Sequence, residues 1–442
     1  MAINVEAGVS SGNTWLSYTE IQHLARRLAI QGGLRGEPWV LCCCSATKLD
    51  YVICYEAARQ IGVPFLPLPP HLRGDRGLEF TSGLPFATSL FLDGDFIQRT
   101  KGSSVLSDWV ERSSLIFLTS GSTGSRKLVF ATEGNVVAAL DGIQERLKYH
   151  SSDTSICYLP MSFDYGWYQY LLCKAASATL VLVDEGFGLP SARLIDAAGA
   201  TILPVVPTLL AGIQPLLGSR VTGSLLRKIT STGEVLSQGL IDRTKQRLPA
   251  VDIFPMYGLT ECKRVSILTP ADRPRTPGSV GRALSCCTVY VDQADPSGLG
   301  ELLVAGGNVT LGTYSLGASK DGAQKSFGGL LRTGDYGRVD SDGFIYVEGR
   351  CDSLVKVMGT RISTIEIEGA LLNLPEVISA RVRVGGDGVE AYCVMGSGSS
   401  TTLLRRMLLR EFGPLASGIK ITAVDQLPHS ENYKVSPLDG SP

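Results

Sequence analysis

The chain has 442 residues, of which 44% are hydrophobic and 19% are charged, with 41 basic side chains against 42 acidic ones. This length is enough for two or more packed units, and the balanced charge argues against disorder and against nucleic-acid binding. The longest apolar runs, such as 178–183, are far shorter than a membrane helix of roughly 20 residues, so no membrane span is predicted. The N-terminal segment is polar and lacks the pattern of a secretory signal, which predicts a cytoplasmic protein.

Predicted helices and strands alternate through the first half of the chain. Apolar periodicity predicts helices over 18–29 and 48–61. Short apolar runs bounded by turn residues are typical of buried strands, and they occur at 39–44, 63–67, 115–118, 179–183 and 201–205. This alternation predicts an α/β fold with helices layered on parallel sheet.

The eleven cysteines and four histidines form no short metal-binding pattern and no nucleophile elbow. We therefore expect reduced, mostly buried thiols rather than a zinc site or a serine hydrolase.

The pattern changes after about Pro277, where short strand-like runs at 298–303, 331–338 and 343–347 are separated by glycines. These runs predict a β-rich subdomain. Further on, Ser363 and Glu366 form a capping box ahead of a helix predicted over 367–374. We expect a large N-terminal domain over 1–350, with layered α/β subdomains and the β-rich subdomain, and a small α+β domain over 351–442.

The segment 115–127 is a buried strand that runs into a loop of glycines, hydroxyls and a lysine. Two glycines let backbone N–H groups approach an anion, four hydroxyls can donate hydrogen bonds, and the lysine adds positive charge. The residues concerned are Gly121, Gly124, Thr119, Ser120, Ser122, Thr123 and Lys127. The spacing rules out a Walker loop, so a phosphate loop of another type or a flexible surface turn are the two interpretations.

This segment resembles the phosphate-loop signature of the adenylate-forming (ANL) superfamily, which comprises acyl- and aryl-CoA ligases, adenylation domains of peptide synthetases, and firefly luciferase. Other segments resemble further signatures of that family, in the family's order and along nearly the whole chain. They are 15–21, 57–67, 159–164, 231–234, 256–261, 300–302, 331–338 and 349–362. Near the end, Lys434 stands where the family has its terminal Gly-Lys, with Tyr433 in place of the usual glycine.

The resemblance implies that ATP and Mg²⁺ convert a small carboxylic acid or amino acid into an acyl-AMP with release of pyrophosphate. Because charge builds on phosphate oxygens, this chemistry needs cations more than a general base. The implied catalytic residues are Lys434, Lys127 and Glu261, and Mg²⁺ would be held by Glu261 and Thr123. The implied ATP- or AMP-binding residues are Thr119, Ser120, Gly121, Ser122, Thr123, Gly124, Gly233, Glu234, Tyr257, Gly258, Thr260, Asp335 and Arg350.

Individual roles follow from the same resemblance. Asp335 is implied to accept both ribose hydroxyls, Arg350 to reach the ribose or phosphate, and Tyr257 to stack on adenine. Asp352 matches the hinge about which the small domain turns between two half-reactions, and Gly359 would line the channel of the thiol. Without the family, the charged residues would be solvated or paired, and Gly359 a tight turn.

The implied acyl pocket contains Phe163, Asp164 and Trp167. In peptide-synthetase adenylation domains an aspartate at the position of Asp164 pairs with the α-ammonium of an amino acid, whereas similar sequences occur in ligases whose acids have no amine. Both alternatives stay open, and an aromatic run of this kind also occurs as plain core.

The implied acceptor is a thiol, either the phosphopantetheine of a free-standing acyl or peptidyl carrier protein or coenzyme A. The sequence contains no fused carrier domain, and the Asp164-type pocket favours the carrier protein over coenzyme A. A non-catalytic homologue that binds nucleotide or a partner protein is the alternative of another class, and Tyr433 is its main support. A kinase or ATPase is disfavoured because neither Walker nor kinase motifs are present.

Overall fold

The computed structural model describes residues 7–31, 39–86, 88–93, 96–101, 106–120, 126–185, 192–218, 225–273, 276–317, 324–351, 354–357, 360–374, 376–385, 388–396 and 400–428. Within these ranges, no helix has both the length and the apolar composition needed to cross a membrane.

Helices α1 to α11 of the described ranges are, in chain order, Tyr18–Gln31, Lys48–Ile61, Asp75–Ser82, Ser107–Arg112, Glu133–Leu147, Asp164–Ala176, Leu194–Ala197, Pro207–Ile213, Gln238–Arg247, Thr364–Leu372 and Thr401–Phe412. The helix predicted over 48–61 is confirmed at both ends. It stops at Gly62, whose φ of 72° lets its N–H group bond the carbonyl oxygens of the last turn. Helix α10 starts three residues before the predicted 367, directly after the N-cap residue Ser363.

Strands β1 to β8 are Gly8–Ser11, Thr14–Ser17, Trp39–Cys43, Phe65–Pro67, Thr88–Asp93, Phe96–Lys101, Leu115–Ser120 and Arg126–Ala131. Strands β9 to β15 are Thr154–Cys157, Thr179–Leu182, Ile202–Val205, Lys228–Ser231, Asp252–Tyr257, Ser266–Ile267 and Arg282–Ala283. Strands β16 to β26 are Cys287–Asp292, Gly300–Gly306, Gly312–Ser315, Gln324–Ser326, Leu330–Val339, Ile345–Arg350, Leu354–Val357, Thr360–Ser363, Val377–Gly385, Gly388–Met395 and Ile419–Val424.

Two large sheets dominate the N-terminal part of the described chain. One has nine strands in the order β15-β14-β13-β12-β11-β9-β10-β1-β2, and the other has eight in the order β19-β18-β8-β7-β4-β3-β5-β6. The strands from β13 to β1 in the first order pair in parallel, as do β3, β4, β5 and β7 in the second. The predicted α/β fold with parallel sheet is therefore confirmed.

The main hydrophobic core joins these two sheets. It contains buried side chains of both sheets together with those of helices α2, α5 and α6. Alternate residues of β3 point to opposite sides, since Leu41 belongs to this core and Cys42 to a second core on the other face. Strands covered on both faces read as continuous apolar runs, which is why the sequence revealed them.

A four-stranded antiparallel sheet, β16-β17-β20-β21, corresponds to the predicted β-rich subdomain. Not every strand after Pro277 belongs to it. Strand β18 pairs with β8 and so extends the eight-stranded sheet, and β15 joins the edge of the nine-stranded sheet. Local sequence pattern does not determine such long-range pairing.

The smaller C-terminal domain has a separate core. Its three-stranded sheet, β24-β25-β26, packs with α10 and α11 around residues such as Ile367, Leu371 and Leu404. The domain boundary at 350/351 stays a prediction. Eight of the eleven cysteines are buried, in agreement with the expected burial of the thiols.

Candidate active site

The predicted phosphate loop connects two paired strands. Strands β7 and β8 are antiparallel, and their last aligned pairs are Thr119 with Lys127 and Ser120 with Arg126. Thr119 donates from Oγ1 to the Lys127 carbonyl oxygen at 3.4 Å, and Lys127 is half-buried. The residues at the tip of the loop, Gly121, Ser122, Thr123 and Gly124, lie outside the described residues.

A cavity of about 580 Å³ lies where the parallel strands β12 and β13 end at their carboxyl side. Its wall includes residues of the two predicted adenine-site motifs, 231–234 and 256–261. It also includes Asp335 of strand β20 and Arg350 of strand β21. The lining residues that the sequence had predicted are Gly233, Glu234, Tyr257, Gly258, Asp335 and Arg350. Ligands commonly bind at this edge of an open α/β sheet.

Tyr257, Asp335 and Arg350 form a hydrogen-bonded group at the wall of the cavity. The Tyr257 hydroxyl donates to Asp335 Oδ2 at 2.5 Å, and Arg350 Nη1 donates to Asp335 Oδ1 at 3.1 Å. Arg350 also donates to the carbonyl oxygen of Thr333 at 2.9 Å. Burial, followed by the charge of Asp335, raises the pKa of Tyr257 well above its ordinary value, so the phenol stays a donor.

Strand pairing explains this arrangement. Asp335 and Arg350 are directly opposite each other on the antiparallel strands β20 and β21. Gly334 has a φ of 71°, and a Cβ atom there would lie 2.8 Å from Arg350 Nη2. The glycine therefore leaves room for the guanidinium to cross the strand and reach the carboxylate.

Glu234 has an evident structural partner. Its Oε2 accepts hydrogen bonds from the hydroxyl of Thr208 at 2.7 Å and from the Thr208 N–H at 3.3 Å. These bonds fix the loop after β12 against helix α8 while Glu234 faces the cavity.

Thr260 and Glu261 follow the cavity wall in the turn after β13, and both are half-buried. The Glu261 backbone is held by Thr310, whose N–H and hydroxyl donate to the Glu261 carbonyl oxygen at 2.9 and 2.8 Å. Sequence reasoning did not single out Thr310. A carboxylate suits Mg²⁺, but the described residues contain no group of three or more metal-binding side chains.

The predicted acyl-pocket residues occupy different environments. Phe163 is half-buried at the N-cap of α6, and Asp164 is buried at the first position of that helix. Trp167 is fully buried, with its ring centroid 4.9 Å from that of Tyr55 and 5.3 Å from that of Phe65. This placement favours the core interpretation of Trp167 over a place in the pocket.

Two buried cations beside Asp164 were not predicted. Lys263 and Arg264 lie one residue beyond the second adenine-site motif and are almost inaccessible to solvent. Burial lowers the pKa of Lys263 to about 8, while the charges of Asp164 and Glu261 act in the opposite direction. The pair of adjacent basic residues was visible in the sequence, but such residues are normally exposed.

Three further predictions concern residues outside the described chain. They are the implied catalytic lysine Lys434, the implied hinge Asp352 and the implied thiol-channel residue Gly359. Tyr433 also lies outside the described residues.

Comparisons with known proteins agree with the fold and the motifs. A family model described as AMP-binding enzyme matches residues 100–314. 4-Coumarate–CoA ligase-like 4 of Oryza sativa subsp. japonica is 29% identical over 345 residues, which cover 72% of this chain and 61% of that protein. 2-Succinylbenzoate–CoA ligase of Lactococcus lactis is 29% identical over 332 residues, covering 74% of this chain and 70% of that protein.

The structure of o-succinylbenzoate CoA synthetase from Bacillus subtilis, in complex with its acyl-adenylate intermediate, resembles this chain with a TM-score of 0.79. The match has 21% sequence identity and covers 97% of this chain and 94% of that one. The chain spans less than two thirds of the length of the Oryza protein. The match to an AMP-binding enzyme family over residues 100–314, the motifs in family order and the shared fold all agree with the resemblance to the adenylate-forming superfamily.

Proposed function

We propose that this chain is an AMP-forming ligase that activates a carboxylic acid with ATP and transfers the acyl group to coenzyme A. The observation that carries this proposal is the Asp335 carboxylate held between the Tyr257 hydroxyl and the Arg350 guanidinium at the wall of the cavity. An ionised carboxylate can accept from about four directions, so it could bind ribose hydroxyls while keeping these two donors.

In the first half-reaction, an oxygen of the acid attacks the α-phosphorus of ATP, and the bond to pyrophosphate breaks. Lys127 at the phosphate loop and Lys434 would offset the negative charge that develops on the phosphate oxygens. Glu261 would hold Mg²⁺, which supplies further positive charge to the phosphates. Tyr257 would stack on the adenine and Asp335 would fix the ribose.

In the second half-reaction, the sulfur of the thiol attacks the acyl carbon of the adenylate. The bond from that carbon to the AMP oxygen breaks, AMP leaves, and the thiol proton passes to solvent. Turning the small domain about Asp352 would remove Lys434 from the site and bring Gly359 toward the thiol.

Two observations bear on the choice of acceptor and acid. The Oryza and Lactococcus relatives are named as CoA ligases, which supports coenzyme A over the carrier protein that the Asp164-type pocket had favoured. The charge of Asp164 acts on the cations Lys263 and Arg264, which would repel an ammonium group brought to that carboxylate. An acid without an amine is therefore the proposed substrate class, and a cytoplasmic location stays a prediction.

The decisive experiment measures acid-dependent ATP–pyrophosphate exchange with Mg²⁺ over a panel of amino, aryl, fatty and dicarboxylic acids. Each active acid is then incubated with coenzyme A, and with a phosphopantetheine-loaded carrier protein, while thioester formation is followed. We expect exchange with acids that have no amine, and thioester formation with coenzyme A.

The alternatives predict different results. Exchange accompanied by loading of the carrier protein alone would support the carrier interpretation. Folded protein that binds ATP but shows no exchange with any acid would support the non-catalytic homologue. Release of ADP instead of pyrophosphate would contradict adenylation altogether.

A further inference from the structure

Three ionisable side chains are buried together beside the predicted acyl pocket. Lys263, Arg264 and Asp164 are only 2%, 6% and 8% exposed. Charged residues are almost never buried this deeply unless partners compensate them. We refer to these three residues as the buried charge cluster.

The two cations of the cluster are poorly compensated. In the described chain, Lys263 Nζ has no hydrogen-bond acceptor, and it lies 4.6 Å from the ring centroid of Phe117. Arg264 donates from Nη1 to the Thr232 hydroxyl, but its Nε has no acceptor among the described residues. Neither cation has an ion-pair partner within 4.0 Å in those residues, so Asp164 acts on both from a longer distance.

The backbone of Lys263 has a strained conformation that neighbouring residues stabilise. Its φ of 58° lies in the left-handed region, which long side chains rarely adopt. The fully buried Asn308 donates from Nδ2 to the carbonyl oxygens of Cys262 at 2.9 Å and Arg264 at 3.0 Å. At Gly258, a Cβ atom would lie 2.1 Å from the Lys263 carbonyl oxygen. A strained conformation that is held this firmly is typical of a binding or catalytic position.

The cluster borders the nucleotide cavity. Thr232, the hydrogen-bond partner of Arg264, lines that cavity, and Asp164 begins helix α6 at the predicted acyl pocket. Asp164 and Glu261 act on Lys263 electrostatically, but neither gives Lys263 Nζ a hydrogen-bond acceptor, and Arg264 Nε also has none among the described residues. One anionic group could supply acceptors to both Lys263 Nζ and Arg264 Nε.

We propose that the acid substrate carries a second anionic group, as a dicarboxylic acid does, and that Lys263 and Arg264 bind this group. The inference rests on the proposed ligase function, since it assigns the substrate class of the same site. One carboxylate would react at the nucleotide while the other occupies the buried charge cluster. Asp164 then serves to balance one of the two cations rather than to anchor an ammonium group.

The test compares dicarboxylic acids of graded chain length with the monomethyl ester of each, which keeps the reactive carboxylate and removes the second charge. Acid-dependent pyrophosphate release gives kcat/KM for each pair. For the best-fitting length, we expect the diacid to exceed its ester by about 10- to 100-fold, since a charged hydrogen bond is worth that factor. An equal kcat/KM for diacid and ester at every length would overturn the inference and leave the ligase proposal standing.

Variants of Lys263 and Arg264 test whether the buried charge cluster causes the preference for the diacid. Lys263→Met and Arg264→Met should raise KM for the diacid about 10- to 100-fold, with little change for the ester or for ATP. Arg26→Met, which removes an exposed cation on α1, is the matched control and should change none of these values. Thermal melting checks folding, and Lys263→Gln replaces any variant that fails to fold. An equal loss on diacid and ester would mean that the cations do not bind the second group.

If the wild-type protein released pyrophosphate with none of the acids tested, the ligase proposal would be overturned instead. The anion site is then judged by calorimetric titration of the diacids into wild type and Lys263→Met. Binding that is lost in the variant supports the site, and absence of binding to wild type overturns it.

Discussion

The isosteric substitution Asp335→Asn tests whether the cavity binds ATP as proposed. The wild-type carboxylate accepts from Tyr257 with one oxygen and from Arg350 with the other. An asparagine keeps the shape but has only one acceptor oxygen and no charge. The bonds that the ribose hydroxyls would make to a carboxylate therefore lose their charge assistance or disappear.

The expected loss can be worked from these contacts. A hydrogen bond to a charged group contributes about 1.5–3 kcal/mol, so weakening two of them amounts to about 3–4 kcal/mol, or about 10²–10³-fold in kcat/KM for ATP. Stability should fall by only about 1 kcal/mol, since the Arg350 side chain is 35% exposed and solvent screens its ion pair. Arg350 also keeps its bond to the Thr333 carbonyl oxygen.

Pyrophosphate exchange at saturating acid, with ATP varied, measures the effect, and thermal melting measures stability. The matched control is Tyr257→Phe, which removes one hydroxyl from Asp335 but keeps the ring for stacking, and it should lose less than about tenfold. A KM for ATP within about threefold of wild type in Asp335→Asn, well below the loss of one such bond, would refute the ribose-binding role. A loss in Tyr257→Phe as large as that in Asp335→Asn would mean that the hydroxyl, and not the carboxylate charge, is the important group.

Three other variants have distinct expected outcomes. Lys434→Ala should slow adenylation about 10²–10³-fold while affecting thioester formation from supplied acyl-adenylate much less. Asp352→Pro should slow thioester formation more than adenylation, because proline fixes the backbone angle φ at the implied hinge. Single-turnover assays that found both half-reactions equally slowed in both variants would contradict the two-conformation mechanism. Burial raises the pKa of Glu56, but the Lys174 ammonium, 2.6 Å away, lowers it, and on balance the pKa lies below its ordinary value of 4.5. The ion pair therefore stabilises the fold above pH 4.5, and this stabilisation is lost as the pH falls. Lys174→Met should therefore lower the free energy of unfolding at pH 7 by about 2 kcal/mol, and with it the Tm. Calorimetry in acid should find a smaller difference in Tm between the variant and wild type. Lys263→Met should raise the free energy of unfolding by about 1–3 kcal/mol, and with it the Tm, because it removes a buried cation that has no acceptor among the described residues. A lower Tm by calorimetry would show that the ammonium is compensated.

Local pattern predicted the elements whose burial is simple. The helix Lys48–Ile61 has one apolar face and ends at a glycine, and the strand Trp39–Cys43 is a continuous apolar run covered on both sides, so local sequence pattern defined both. Strand Gly8–Ser11 was not predicted, because it is short and polar. It pairs with Thr179–Leu182, far along the chain, and with the neighbouring strand Thr14–Ser17.

The candidate site shows the same division between motif and context. Motif order predicted Asp335 and Arg350, which the sheet register brings into contact. Trp167 and Lys263 could not be interpreted in that way, because an aromatic residue is equally suited to core and pocket, and a lysine is normally exposed. Their environments depend on which elements pack around them, and that information is not local to either residue.

The small domain already contacts the nucleotide cavity in this arrangement. Gly239 donates its N–H to Asn373 Oδ1 at 3.1 Å, and Ser237 donates its hydroxyl to the Leu372 carbonyl oxygen at 3.2 Å. Asn373 itself lines the cavity.

These contacts are easily exchanged for water, since each is an ordinary neutral hydrogen bond of small net strength. Across the same interface, Glu368 and Glu234 are close enough for Glu234 to oppose ionisation of Glu368, whose pKa is raised mainly by burial. Glu368 also forms an ion pair with Arg381 at 3.5 Å, whose charge favours ionisation of Glu368 and offsets the effect of Glu234. The interface beside the cavity therefore depends on weak, exchangeable bonds, as a domain needs if it must close on ATP for one half-reaction and turn away for the next.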